Sequence, residues 1–174
     1  MKEESVILVD THDRPLGLMP KMEAHEKGVL HRAFSVFIIN SKDELLLQRR
    51  AFTKYHSPGL WTNTCCSHQR DGEDTLEAGR RRLMEEMGMD VSLEFLFSFV
   101  YKASFDNGLT EHEFDHVLLG KSEALPEVNL EEVMEWKWMP LERIQQELKN
   151  HPEDFTVWFR IVFERFYTAF CEST

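Results

Sequence analysis

The spacing of hydrophobic and polar positions divides the chain into segments of different period. Positions 5–10 and 16–19 have strand character and are separated by the turn-forming Thr11-His12-Asp13-Arg14-Pro15, which predicts a hairpin. Positions 33–39 are apolar on both alternating faces apart from Ser35, the pattern of a central strand covered on two sides. Asn40-Ser41-Lys42-Asp43 then turns this strand into Leu45-Leu46-Leu47, and helices are expected on both faces of the sheet.

From Glu73 to Met87 the period lengthens. Leu76, Leu83 and Met87 fall on one side of a helix, Arg81 with Glu85 and Arg82 with Glu86 make i,i+4 pairs, and Gly88 supplies a stop. Strands resume at 93–103, 111–120 and 133–138, with Asp106-Asn107-Gly108 turning the first into the second. Pro140 opens a helix through Leu141, Ile144 and Leu148. Pro152 precedes the stripe Phe155, Trp158, Phe159, Val162, Phe163, Phe166 and Phe170. With no repeat and no separating linker, residues 1–174 read as one α/β (α+β) domain, a mixed β-sheet sandwiched between helices.

Charge narrows the partners. Against 20 Lys+Arg stand 31 Asp+Glu, a net charge of −11, so nucleic acid is excluded while a small anion in a local basic pocket is not. No apolar run approaches membrane-spanning length, and Met1-Lys2-Glu3-Glu4 lacks a secretory h-region, so the cytoplasm is expected. Three cysteines, with Cys65 and Cys66 adjacent, build no disulfide framework and fit a reducing compartment; no role is read for Cys171. No amphipathic element is left unused, and a monomer is expected.

Cys66 and His68 stand two apart, as do Glu111 and Glu113, so in extended backbone each pair shares a face. Taken singly, a free cysteine is usually a buried small hydrophobe and alternating carboxylates are usually a solvated strand face. His25 and His31 are six apart with Gly28 between, so only a loop would bring them together. Collectively, His25, His31, His68, Glu111 and Glu113 lie near predicted strand ends and form a nitrogen/oxygen set suited to a metal. Cys65, one residue out of phase with Cys66, is expected to face the core.

The stretch from Ser67 to Met89 resembles the Nudix box, G-x5-E-x7-R-E-U-x-E-E-x-G-U with U apolar. Glu73, Arg81, Leu83, Glu85, Glu86, Gly88 and Met89 match; Ser67 replaces the opening glycine and Arg82 replaces a glutamate of the core. Joined to Trp61-Thr62-Asn63-Thr64-Cys65-Cys66-Ser67-His68 and Thr110-Glu111-His112-Glu113, the altered box resembles the type 1 isopentenyl-diphosphate isomerases, over roughly residues 6–163.

That resemblance implies a Nudix fold and isomerisation of isopentenyl diphosphate to dimethylallyl diphosphate through a tertiary carbocation. It assigns acid/base roles to Cys66 and Glu113, with Tyr101 hydrogen-bonded near Glu113. One divalent metal, Zn²⁺, Mn²⁺ or Mg²⁺, would take His25, His31, His68, Glu111 and Glu113, and Glu86 would help hold a Mg²⁺ on the substrate diphosphate. Lys21, Arg50, Lys54 and Arg82 match diphosphate-binding positions, and Trp158 an indole lining the hydrocarbon pocket. A Nudix diphosphate hydrolase, opposed by Arg82, and a catalytically silent metal-binding module are the competing readings.

Overall fold

The computed structural model describes residues 3–174. The elements are β1 (Ser5–Val9), β2 (Pro15–Pro20), α1 (Lys21–Lys27), β3 (His31–Ile39), β4 (Glu44–Arg50), β5 (Trp61–Thr62), β6 (Cys65–Ser67), α2 (Thr75–Met87), β7 (Leu93–Ser104), β8 (Thr110–Lys121), β9 (Val133–Pro140), α3 (Leu141–Asn150) and α4 (Val157–Ser173).

Helix starts are where sequence and structure part company. Helix α2 begins at Thr75 rather than Glu73, because the Asp74 carboxylate accepts from the Leu76 and Glu77 amides at 2.9 and 3.3 Å and so caps the helix. Pro152 opens only a 3-10 turn, Pro152–Asp154; α4 waits for Thr156, whose hydroxyl accepts from Phe159 N at 3.3 Å. Helix α1 was not anticipated. It has a single turn beyond its start and ends at Gly28, whose φ of 63° suits a residue without Cβ.

Strand β3 is the axis of the sheet. It runs parallel to β8 from His31 opposite Glu113 to Ile39 opposite Lys121, and β7 flanks β8 as its antiparallel outer neighbour. Along its other edge the partner changes: β1 meets it at His31, β6 at Phe34 through Val36, and β4 at Ile39. Strand β4 in turn carries β5 and β9.

Both faces of β3 are covered, as its double apolar pattern requires. Phe37 and Ile39 join Phe99, Leu141, Ile144, Phe159, Phe163 and Phe166 beneath α3 and α4. Phe34, Val36 and Ile38 join Ala78, Leu83, Met87 and Leu118 beneath α2. Phe37 and Phe166 stack at 4.1 Å, and each such fully buried phenyl contributes about 2 kcal/mol from the transfer of its surface out of water. Helix α2 comes down onto the sheet at Gly79, where a Cβ would lie 2.7 Å from Leu118 Cδ1.

Candidate active site

The odd-numbered residues of β3 set the geometry. His31 and Ser35 project to the same face as Phe37, but lie toward the strand's start, beyond the reach of the phenylalanine core. Across β8, Glu113 sits opposite His31; across β6, Cys66 sits opposite Ser35; and across β7, Tyr101 sits opposite Glu113. The register therefore puts thiol and carboxylate on one face of the sheet, on strands either side of β3. The pocket they line also receives Arg50, Lys54, Tyr55, His56 and Trp158, with Lys21 from α1 and Arg82 and Glu86 from α2.

His25, His31, His68 and Glu113 are all buried, and each offers a ligand atom within 4.8 Å of the others. Backbone carbonyls fix two tautomers: His25 Nδ1 donates to Lys21 O at 2.7 Å and His31 Nδ1 donates to Val29 O at 2.8 Å. Each therefore turns an Nε2 lone pair inward, and neither Nε2 has a hydrogen-bond partner. Two orphaned imidazole nitrogens converging on a buried carboxylate, each oriented from behind by a carbonyl, are the donor set that a divalent ion fills.

Among the described residues that cluster has four members, and Glu111 is not one of them. Its carboxylate accepts from Tyr101 Oη at 2.8 Å and lies 3.6 Å from His56 Nε2. Tyr101 Oη is shared, reaching Glu113 Oε2 at 2.7 Å. His25, expected near a strand end, instead stands on α1, and Gly28 carries the chain from there into β3.

Burial drives the ionisation of this chamber. It would raise Glu113, but the neighbouring imidazoles of His31 and His68 outweigh it and hold that carboxyl well below its usual range. Glu111, buried and beside the Glu113 charge, is pushed well above its usual range. Burial lowers His68 to about 4 and His56 to about 3, which leaves both imidazoles neutral with lone pairs available.

Cys66 is held by acceptors. Its thiol lies 3.2 Å from Asn63 Oδ1, and Asn63 is oriented by donating its amide to Val36 O and Cys65 O at 3.1 and 3.0 Å. The second neighbour, Ser35 Oγ at 3.6 Å, gives its own proton to the buried Asp115 carboxylate at 2.8 Å. Burial and the Asp115 charge push the thiol above its ordinary value, so it rests protonated. Cys65 faces the opposite way into the α2 core, where its thiol donates to Glu86 Oε2 at 2.6 Å.

Positive charge lines the mouth. Arg82 stands where the Nudix box has a glutamate, and its guanidinium spans Glu85 at 2.7 Å and Glu86 at 3.3 Å. Glu73 and Arg81 of the box do not enter the pocket; they form a two-pronged bond at 2.6 and 3.0 Å that ties the loop before α2 to the helix. Arg50 lies over the Trp158 ring at 5.1 Å, and the edge of His56 meets that indole at 5.4 Å. No role was read from sequence for Ser35, Tyr55, His56 or Asp115, while Asn63 and Ser67 appeared there only as parts of the motifs. Of the first four, Ser35 left a signal there, as the one polar residue in the apolar run 33–39.

Comparison with known proteins gives the family and the fold. A NUDIX domain model matches residues 29–159. The chain is 49% identical over 163 residues to isopentenyl-diphosphate Delta-isomerase 2 of Aromatoleum aromaticum, covering 94% of this chain and 86% of that one. It is 50% identical over 160 residues to the isopentenyl-diphosphate Delta-isomerase of Pectobacterium atrosepticum, covering 92% and 89%. A crystal structure from Deinococcus radiodurans aligns with a TM-score of 0.77 at 21% identity, over 93% of this chain and 98% of that one. The MutT protein of Methanosarcina mazei Go1 aligns at 0.66 and 23%, over 80% and 94%, and both likenesses concern the fold.

Proposed function

The chain belongs to the isopentenyl-diphosphate Delta-isomerases of the NUDIX superfamily, and we propose that Cys66 and Glu113 are the two groups through which it converts isopentenyl diphosphate into dimethylallyl diphosphate. The observation that carries this assignment is their placement: one protonated thiol and one ionised carboxylate on the same sheet face, separated by β3, in one pocket.

The reaction needs both. The π electrons of the terminal alkene take a proton at C4, which leaves a tertiary carbocation at C3. Loss of a proton from C2 returns an electron pair to form the internal double bond. One group gives and one takes, the proton count is unchanged, and the roles exchange in the reverse direction. Tyr101, bonded to both carboxylates, holds Glu113 in place while its charge changes. Asn63 and the Ser35–Asp115 pair aim the thiol.

Trp158 gives the five-carbon unit an apolar wall and excludes the water that would trap the cation as an alcohol. A ring face toward that cation is worth about 2 kcal/mol in a desolvated pocket. Lys21, Arg50, Lys54 and Arg82 bind the diphosphate at the mouth, where Glu86 would hold a Mg²⁺ bound with it. His25, His31, His68 and Glu113, with Glu111 at their edge, would hold a second divalent ion, Zn²⁺, Mn²⁺ or Mg²⁺, whose charge favours the carboxylate form of Glu113. Arg82 in place of a box carboxylate disfavours hydrolysis of the diphosphate. We place the enzyme in the cytoplasm, where its three free thiols persist, as a monomer.

The test is turnover of isopentenyl diphosphate in heavy water with Mg²⁺. Wild type is expected to yield dimethylallyl diphosphate carrying deuterium, and Cys66→Ala none. Wild-type turnover by a fully active Cys66→Ala would remove the thiol from the mechanism.

A further inference from the structure

Resting on the reading that Lys21, Lys54 and Arg82 receive the diphosphate, we infer that Glu132, which lies outside the pocket, is a positioning residue that holds Lys54 and Arg82 in their binding pose. The Lys54 ammonium donates to Glu132 Oε2, and the Arg82 guanidinium lies 3.7 Å from that same oxygen. Lys54 comes from the loop between β4 and β5, and Arg82 comes from α2. A single carboxylate oxygen thus joins side chains carried on two different elements.

The backbone of Glu132 is fixed to both. Its carbonyl accepts from Ala51 N at 3.0 Å, at the root of the Lys54 loop, and its amide donates to Asn129 O at 2.9 Å. Asn129 N in turn donates to Glu86 O at 2.9 Å, and Glu127 N to Met87 O at 2.8 Å, which docks the segment on the end of α2. A carboxylate carried on such a segment has a defined position.

The need for it follows from electrostatics. Cations gathered at one small mouth repel one another when no anion is bound, and a lysine on a four-carbon stem relieves that repulsion by swinging into water. Glu132 opposes the swing while using one of the ammonium's three donors, which leaves the others for phosphate oxygens. The pair is largely enclosed, with side-chain exposures of 21% and 25% for Lys54 and Glu132, so solvent does little to replace it. Glu4 engages Lys21 in the same manner at 3.2 Å, but at 59% exposure it holds more loosely. The opposite influence of Glu132 is repulsion of the incoming diphosphate, and experiment decides between the two.

The experiment compares wild type with Glu132→Gln, and uses Glu135→Gln as control. Glu135 pairs with Arg49 at 2.8 Å, outside the pocket. Steady-state turnover of isopentenyl diphosphate is measured with Mg²⁺, and calorimetry follows inorganic diphosphate with Mg²⁺ binding to the folded fraction. Glu132→Gln is expected to raise KM and the diphosphate Kd together by about tenfold with kcat within about twofold, since two side chains must then be ordered by the ligand itself. Glu135→Gln should change neither. An unchanged or lowered KM and Kd in Glu132→Gln, or a fall in kcat at constant KM, would overturn the inference while leaving the isomerase reading intact. A wild type that neither turns over nor binds diphosphate would overturn the underlying reading.

Discussion

The inner chamber and the mouth are built on different physical terms. In the chamber, His31, His68, Tyr101, Glu111 and Glu113 are all at most 9% exposed; burial moves the proton affinities of His68, Tyr101 and Glu111 far from ordinary values, and neighbouring imidazoles do the same for Glu113 against the effect of burial. At the mouth, Lys21, Lys54, Glu4 and Glu132 keep 21% or more of their side-chain surface, and opposite charges reinforce the ionisation of Lys21, Glu4 and Glu132. On the proposed assignment, enclosure would tune proton transfer in the first, and partial hydration would give reversible capture of an anion in the second. The two regions should therefore separate in kinetics, the chamber governing kcat and the mouth KM.

The largest effect is expected from Glu113→Gln, which removes the charge between His31 and His68 while keeping the side chain's shape. Loss of a positioned acid/base group costs about a thousandfold in kcat, with KM for isopentenyl diphosphate changed little. Initial-rate kinetics would check it, and a rise in KM at constant kcat would erase the distinction between the regions.

Acid should strike the chamber next. His56 and His68, at about 3 and about 4 in the folded state, lie below the ordinary imidazole value of 6.5. The unfolded chain therefore binds more protons between those limits, so the contribution is fully present above pH 6.5 and is lost as pH falls toward 4. Each imidazole costs about 2 kcal/mol of stability by pH 5. Urea midpoints at pH 7 and pH 5 would read this, and equal midpoints would show that the rings gain protons freely when folded. The smallest effect is that of salt. Raising NaCl from about 0.05 to about 0.5 M should increase KM a few-fold through screening at the mouth and leave kcat alone.

Much of this was legible before any coordinates. The double apolar pattern of β3 announced two covered faces, and the i,i+2 spacings announced two shared-face pairs, because the period of a strand is local geometry. Helix α1 was not legible: seven residues around Met22 and Ala24 give too few turns for a stripe, and Pro20 supplies no side-chain cap. The convergence of His25 with His68 was expected from the pooled histidines and the family resemblance but not from local pattern, because it depends on the folded path through Gly28 and on β6 docking against β3. Glu132 and Lys54 are 78 positions apart, and nothing local marks them as partners. Glu111 was grouped with the metal set by its spacing, yet Tyr101 and His56 hold it at the rim, a matter of which side chains happen to surround it.

Adjacent thiols are often suspected of joining to one another under oxidative stress. Here the pleat of β6 sends Cys65 beneath α2 and Cys66 toward the pocket, so neighbours in the chain are kept apart by the thickness of a sheet. Closing a bond between them would require peeling β6 from Phe34, Ser35 and Val36. An oxidant that reaches the pocket thus meets a solitary sulfur, and inactivation should proceed through its sulfenic acid with Cys65 left untouched.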